Sequence, residues 1–118
     1  MMLKSAHWPV LVVLLGLFAA PAALAHGEAV SEPEDGATVA SSPETIHLEF
    51  GEPARVTQFQ VQGPEGPVAL DSEPSREASR RVAATPEEEL ASGDYTVSWR
   101  ALSEDGHAIS GDFAFTVE

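Results

Sequence analysis

The sequence predicts an all-β fold: a small antiparallel β-sandwich or barrel of about seven strands. Apolar and polar residues alternate in short runs, the period of a strand with one buried face, and no long stretch repeats at helical spacing. The runs recur roughly every ten residues, as in sandwiches. Turn-forming clusters separate them, notably Pro33-Glu34-Asp35-Gly36 and Gly63-Pro64-Glu65-Gly66-Pro67.

The first run lies near Ala29–Ser31 and meets the Pro33–Gly36 turn. The second, Thr45–Phe50, puts Ile46, Leu48 and Phe50 on one face. The third, Val56–Gln62, has Phe59 and Val61 in step and ends at the tight reversal after Gly63. Short strands are expected at Val68–Leu70 and near Arg80–Ala84, with a polar loop over Ser72–Ser79 between them. Pro86–Leu90 has room for one helical turn between Pro86 and Gly93. Asp94–Ala101 alternates most clearly, with Tyr95, Val97, Trp99 and Ala101 on one side. His107–Val117 closes the domain with Ile109, Phe113, Phe115 and Val117 aligned. The aromatic and branched residues of these faces form the expected core.

Residues 1–25 read as a cleaved signal peptide. Lys4 supplies the positive start, the stretch from Trp8 to Ala25 is uncharged, and Ala23-Leu24-Ala25 is a small-x-small cleavage pattern. The uncharged stretch is 18 residues, near the shortest that spans a bilayer, but Pro21 and the surrounding alanines suit a cleavage region better than an anchor. Residues 26–118 then form one exported domain of 93 residues, expected in the periplasm. There is no cysteine, which excludes disulfides, thiolate metal sites and a lipidated cysteine. Beyond residue 25 stand five arginines and no lysine against 19 acidic residues, a formal charge of −14. Such a surface repels nucleic acid and anionic lipid. The run Glu87-Glu88-Glu89 reads as a solvated face.

Cleavage after Ala25 makes His26 the first residue. Its free α-amine and its imidazole together close a chelate ring on a metal ion. Two further histidines follow. His47 stands between Ile46 and Leu48, pointing away from their face, and reads as a surface residue. His107 closes Ser103-Glu104-Asp105-Gly106-His107, at the hairpin joining the two clearest strands. Asp105 and His107 are two apart, so an extended backbone turns both side chains the same way, and Gly106 lets the chain bend between them. Alone, Asp-Gly-His reads as turn chemistry before ligand chemistry. With His26 it offers three nitrogens and one carboxylate, a set without sulfur that prefers Cu(II), with Ni(II) second and Zn(II) also served. Both methionines lie in the leader, so a thioether site for Cu(I) is not expected.

The sequence resembles the CopC family of exported copper-binding proteins over essentially its whole length after the leader. The resemblance rests on His26; on Ser31, Pro33 and Gly36; on Leu48-Glu49-Phe50-Gly51-Glu52-Pro53; on Gly93-Asp94-Tyr95-Thr96-Val97-Ser98-Trp99-Arg100; on Ser103–His107; and on Ser110-Gly111-Asp112-Phe113-Ala114-Phe115-Thr116-Val117. It implies an immunoglobulin-like, cupredoxin-related Greek key. It also implies one Cu(II) per chain held by His26, Asp105 and His107. Glu52 is added as a weaker ligand or a residue just behind the ligands. The family's methionine-rich Cu(I) loop has no counterpart here, and His26-Gly27 replaces the common His-Ala start. The implied role is non-catalytic: a monomer that sequesters Cu(II) or delivers it, with an inner-membrane CopD-like transporter as partner. Two other readings are a copper oxygenase built on a histidine brace, which would need open coordination positions and a broad substrate surface, and a metal-free interaction module.

Overall fold

The computed structural model describes residues 29–118; the leader, the cleavage region and His26 lie outside them. The described residues are all-β, with eight strands. They are β1 (Val30–Glu32), β2 (Ala37–Val39), β3 (Ile46–Gly63), β4 (Gly66–Pro67), β5 (Leu70–Ser72), β6 (Ser79–Pro86), β7 (Gly93–Ser103) and β8 (Ala108–Val117). They form one curled sheet in the order β2-β8-β7-β3-β6-β5, with β1 and β4 also paired to β3.

The second and third expected strands are one strand of 18 residues. Its first half pairs with β1 and β6, and its second half with β7. Between Glu49 and Ala54, β3 advances five residues while β6 advances two. Phe50-Gly51-Glu52-Pro53, standing against the single residue Arg80, form a bulge at which the strand turns a corner. Pro53 is tolerated there because the interrupted ladder asks for no N–H. Both ends of β3 then lie at the same end of the domain. Ile46 faces Ala84 near the end of β6, while Gly63 lines a groove with Glu87–Ser92, which follows β6. A second slip at Thr57, between the pairs Val56↔Ala101 and Gln58↔Arg100, shifts the inward phase. Ile46, Leu48, Phe50, Ala54 and Val56 are buried before it, and Phe59 and Val61 after it.

The purely antiparallel arrangement is corrected at one edge. β2, which alternation alone did not reveal, runs parallel to β8, with Ala37 opposite Phe115 and Val39 opposite Val117. The turn before it carries the chain from the β1 edge to the β8 edge. There the Gly36 N–H donates to the Ala114 carbonyl at 2.7 Å, and Asp35 Oδ1 accepts the Ala114 N–H at 2.9 Å. No helical turn forms at Pro86–Leu90. That segment is anchored instead by the Leu90 N–H, which donates to Ser42 Oγ at 2.8 Å.

The core is the one the alternation predicts. Every residue expected inside β3, β7 and the second half of β8 is buried, joined by Val82, Ala84 and Leu90. Phe50 at the corner meets Trp99 edge-on with centroids 5.5 Å apart, and Tyr95 stacks on Phe115 at 5.4 Å. Tyr95 donates its hydroxyl hydrogen to the Ala91 carbonyl four residues upstream at 2.6 Å, the contact that defines a tyrosine corner in immunoglobulin-like sandwiches.

Candidate metal centre

The β7–β8 ladder runs to the pair Leu102↔Ala108, and residues 103–107 form the hairpin tip. Main-chain bonds close it: the Ser103 N–H donates to the His107 carbonyl and the Gly106 N–H to the Ser103 carbonyl, both at 2.9 Å. Gly106 adopts φ +88°, a left-handed conformation open to glycine at little cost.

Three side chains converge on this tip. Ser103 continues the inward series Tyr95, Val97, Trp99, Ala101 and is 6% exposed, the one buried polar residue among those described. Its hydroxyl donates to Asp105 Oδ1. The His107 N–H points at both Ser103 Oγ and Asp105 Oδ1, each at 3.2 Å. The second carboxylate oxygen, Oδ2, lies 2.8 Å from His107 Nδ1. Both outer side chains are open to solvent, Asp105 57% and His107 79% exposed. The hydrogen bond from Ser103, then those from the His107 ring and backbone, lower the Asp105 carboxyl from 3.8 to about 2. Asp105 is therefore an anion throughout the physiological range.

Glu52 is exposed on the β3 corner, where the Arg80 guanidinium donates to the Gly51 carbonyl at 2.8 Å. The corner meets the foot of the hairpin, because Ala54 pairs with both Ser103 of β7 and Ser79 of β6. Among the described residues, Asp105 and His107 are in contact. Glu52 does not join them in a group of three close enough to hold an ion. His26 lies outside the described residues, but the strand that follows it is informative. In β1, Glu32 faces His47 and Val30 faces Glu49, so Val30 is the end of β1 nearer the corner at Gly51–Pro53.

His47 is only half-buried rather than a free surface residue. Its Nε2 is 2.7 Å from Thr45 Oγ1, and its buried Nδ1 has no partner among the described residues. β1 and β6 flank it in the sheet, with Glu32 and Ala83 opposite. Ser103 is the member of the site that the sequence reading gave no role. Its inward phase in β7 was the available signal.

A family model described as the CopC domain matches residues 29–118. Copper resistance protein C of Xanthomonas campestris pv. juglandis is 35% identical over 118 residues, covering 91% of each chain. The crystal structure of PcoC, a methionine-rich copper resistance protein from Escherichia coli, superposes with a TM-score of 0.64 at 34% identity, over 80% of this chain and all of that one. Copper transport protein CutJ of Bacillus subtilis is 25% identical over 98% of this chain, which corresponds to 22% of that longer protein.

Proposed function

This chain belongs to the CopC family, whose members are copper-binding resistance proteins and not enzymes, and from that membership we propose that it is exported to the periplasm, processed after Ala25, and there holds one Cu(II) through His26, Asp105 and His107. The supporting observation is the direction of β1. Val30 is four residues on from His26, a reach of up to about 14 Å when extended. β1 aims that reach at the β3 corner, whose next residue, Ala54, is paired with Ser103 at the foot of the hairpin. In the proposed site, amine and imidazole join the carboxylate and the second imidazole.

The hairpin pair suits an ion. His107 Nδ1 and Asp105 Oδ2, 2.8 Å apart, have the spacing of two adjacent corners around a metal bonded at about 2.0 Å to each. In the metal-free protein the Nδ1 hydrogen occupies that gap. Binding exchanges it for the ion, so uptake releases protons and acid reverses it. The donor set is nitrogen and carboxylate without sulfur, which selects Cu(II). No methionine follows residue 2, so the Cu(I) site that a methionine-rich relative can offer has no counterpart here. Glu52, on the corner two residues before Ala54, is placed to bind weakly or to hydrogen-bond a ligand. Delivery to a CopD-like membrane transporter is supported by CutJ, where a segment of this length is part of a longer copper transport protein.

The test is titration of Cu(II) into chain beginning at His26, its start verified by mass spectrometry, with electron paramagnetic resonance of the one-to-one complex. Several nitrogens around the copper are expected. A spectrum with oxygen donors alone overturns the assignment.

A further inference from the structure

We propose that Ser103 is the positioning residue of the copper site, holding Asp105 so that a single carboxylate oxygen faces His107. This inference rests on the copper reading above and assigns a role within the same site. Each carboxylate oxygen has two lone pairs. Asp105 Oδ1 spends both on the tip itself, one on the Ser103 hydroxyl and one on the His107 N–H. Oδ2 accepts only from the ring, at 2.8 Å, and keeps a lone pair directed outward. The carboxylate therefore cannot rotate its two oxygens interchangeably, and Oδ2 is the one available to an ion.

The strength of this arrangement comes from where Ser103 sits. Asp105 and His107 are more than half exposed and have no packing to fix their rotamers. Ser103 is 6% exposed, at the last ladder position shared with β3. It is the only one of the three whose side chain the core immobilises. Its hydroxyl transfers that rigidity outward, first to Asp105 and then to the His107 ring. Main-chain bonds from Ser103 to His107 and Gly106 close the turn independently of the hydroxyl. Removing the hydroxyl should therefore loosen the ligands without opening the hairpin.

The experiment compares wild type, Ser103→Ala, Ser103→Thr and His107→Ala, each beginning at His26. Ring nitrogen NMR of the metal-free proteins at pH 8 reads the His107 tautomer. Wild type is expected to carry its hydrogen on Nδ1, facing Asp105, and Ser103→Ala to give a mixture of tautomers. Competition titration with Cu(II) is expected to show a ten- to hundredfold loss of affinity in Ser103→Ala, the usual range when a residue supporting a ligand is removed, with partial recovery in Ser103→Thr. Ser103→Ala with wild-type affinity and unchanged ring signals overturns the proposal. So does an affinity loss that tracks a lowered melting temperature and is not recovered in Ser103→Thr, since that is a purely structural role. His107→Ala with undiminished Cu(II) binding overturns the copper site itself, while the ring signals of the other variants still judge what Ser103 does.

Discussion

The two ends of the sandwich are both exposed and both rich in carboxylates, yet only one is organised. At the hairpin end, Ser103, Asp105 and His107 hold one another, and the β3 corner is clamped by Arg80. At the opposite end, the Gly63–Pro67 turn and Glu87–Ser92 flank an open groove carrying Glu65, Glu87, Glu88 and Glu89. None of those four carboxylates makes a side-chain hydrogen bond or ion pair with another described residue. Charge density alone attracts cations weakly and without choice. Selectivity needs different donor types brought to one point by elements that cannot move apart. In the proposed copper site these elements are a hairpin, a strand corner and a chain terminus.

The sharpest way to break this contrast is to displace the terminus. One extra residue before His26 turns its amine into a peptide nitrogen, and Cu(II) affinity is expected to fall by about a hundredfold or more. The triple change Glu87→Gln, Glu88→Gln, Glu89→Gln at the other end should leave affinity within about twofold. Calorimetry on both proteins decides; equal losses would mean that copper is held by diffuse charge. Next in size is the pH response. The amine and both imidazoles must give up their protons to bind the ion, so protons compete with copper at each nitrogen. Affinity should fall steeply from pH 7 to 5. A flat profile would move the ligands onto carboxylates.

Smaller effects separate the parts of each end. Glu52→Gln should weaken Cu(II) by no more than about tenfold, read by the same titration; a loss as large as that of His107→Ala would make Glu52 a principal ligand. Tyr95→Phe removes the hydrogen bond to the Ala91 carbonyl and should cost about 1 kcal/mol in denaturant unfolding while leaving copper affinity unchanged. Stability and metal binding would then be shown to reside at different ends. The smallest effect is on Asp105. Its folded carboxyl is lowered to about 2, so its contribution to holding the tip is complete above the ordinary value of 3.8 and is lost only as pH falls through about 2. Carboxyl carbon NMR should show Asp105 titrating well below 3.8; titration at that ordinary value would mean that the Ser103 link is not made in solution.

Much of the fold is legible in the alternation of β7 and β8, because strands with one buried face repeat every second residue. Tyr95, Val97, Trp99, Phe113 and Phe115 are buried as that period requires. β3 was harder. Its two halves look like separate strands because Gly51-Glu52-Pro53 breaks the pattern and Thr57 shifts its phase. β2 was invisible, because three residues carry no measurable period and their parallel pairing depends on where the Pro33–Gly36 turn docks. The Asp105–His107 contact was foreseeable from two-residue spacing around a glycine. The half-burial of His47 was not, since it depends on which distant strands, β1 and β6, pair on either side of it.

The sequence by itself determined the class of fold, the inward faces of the clearest strands and the residue types on offer as donors, because each is a property of residue type and local spacing. Only the tertiary structure decided that β3 turns a corner, that the Val30 end of β1 lies toward that corner, and that the corner lies against the hairpin. Those relations are set by register between distant strands, and register is settled by bulges and packing that no local period records.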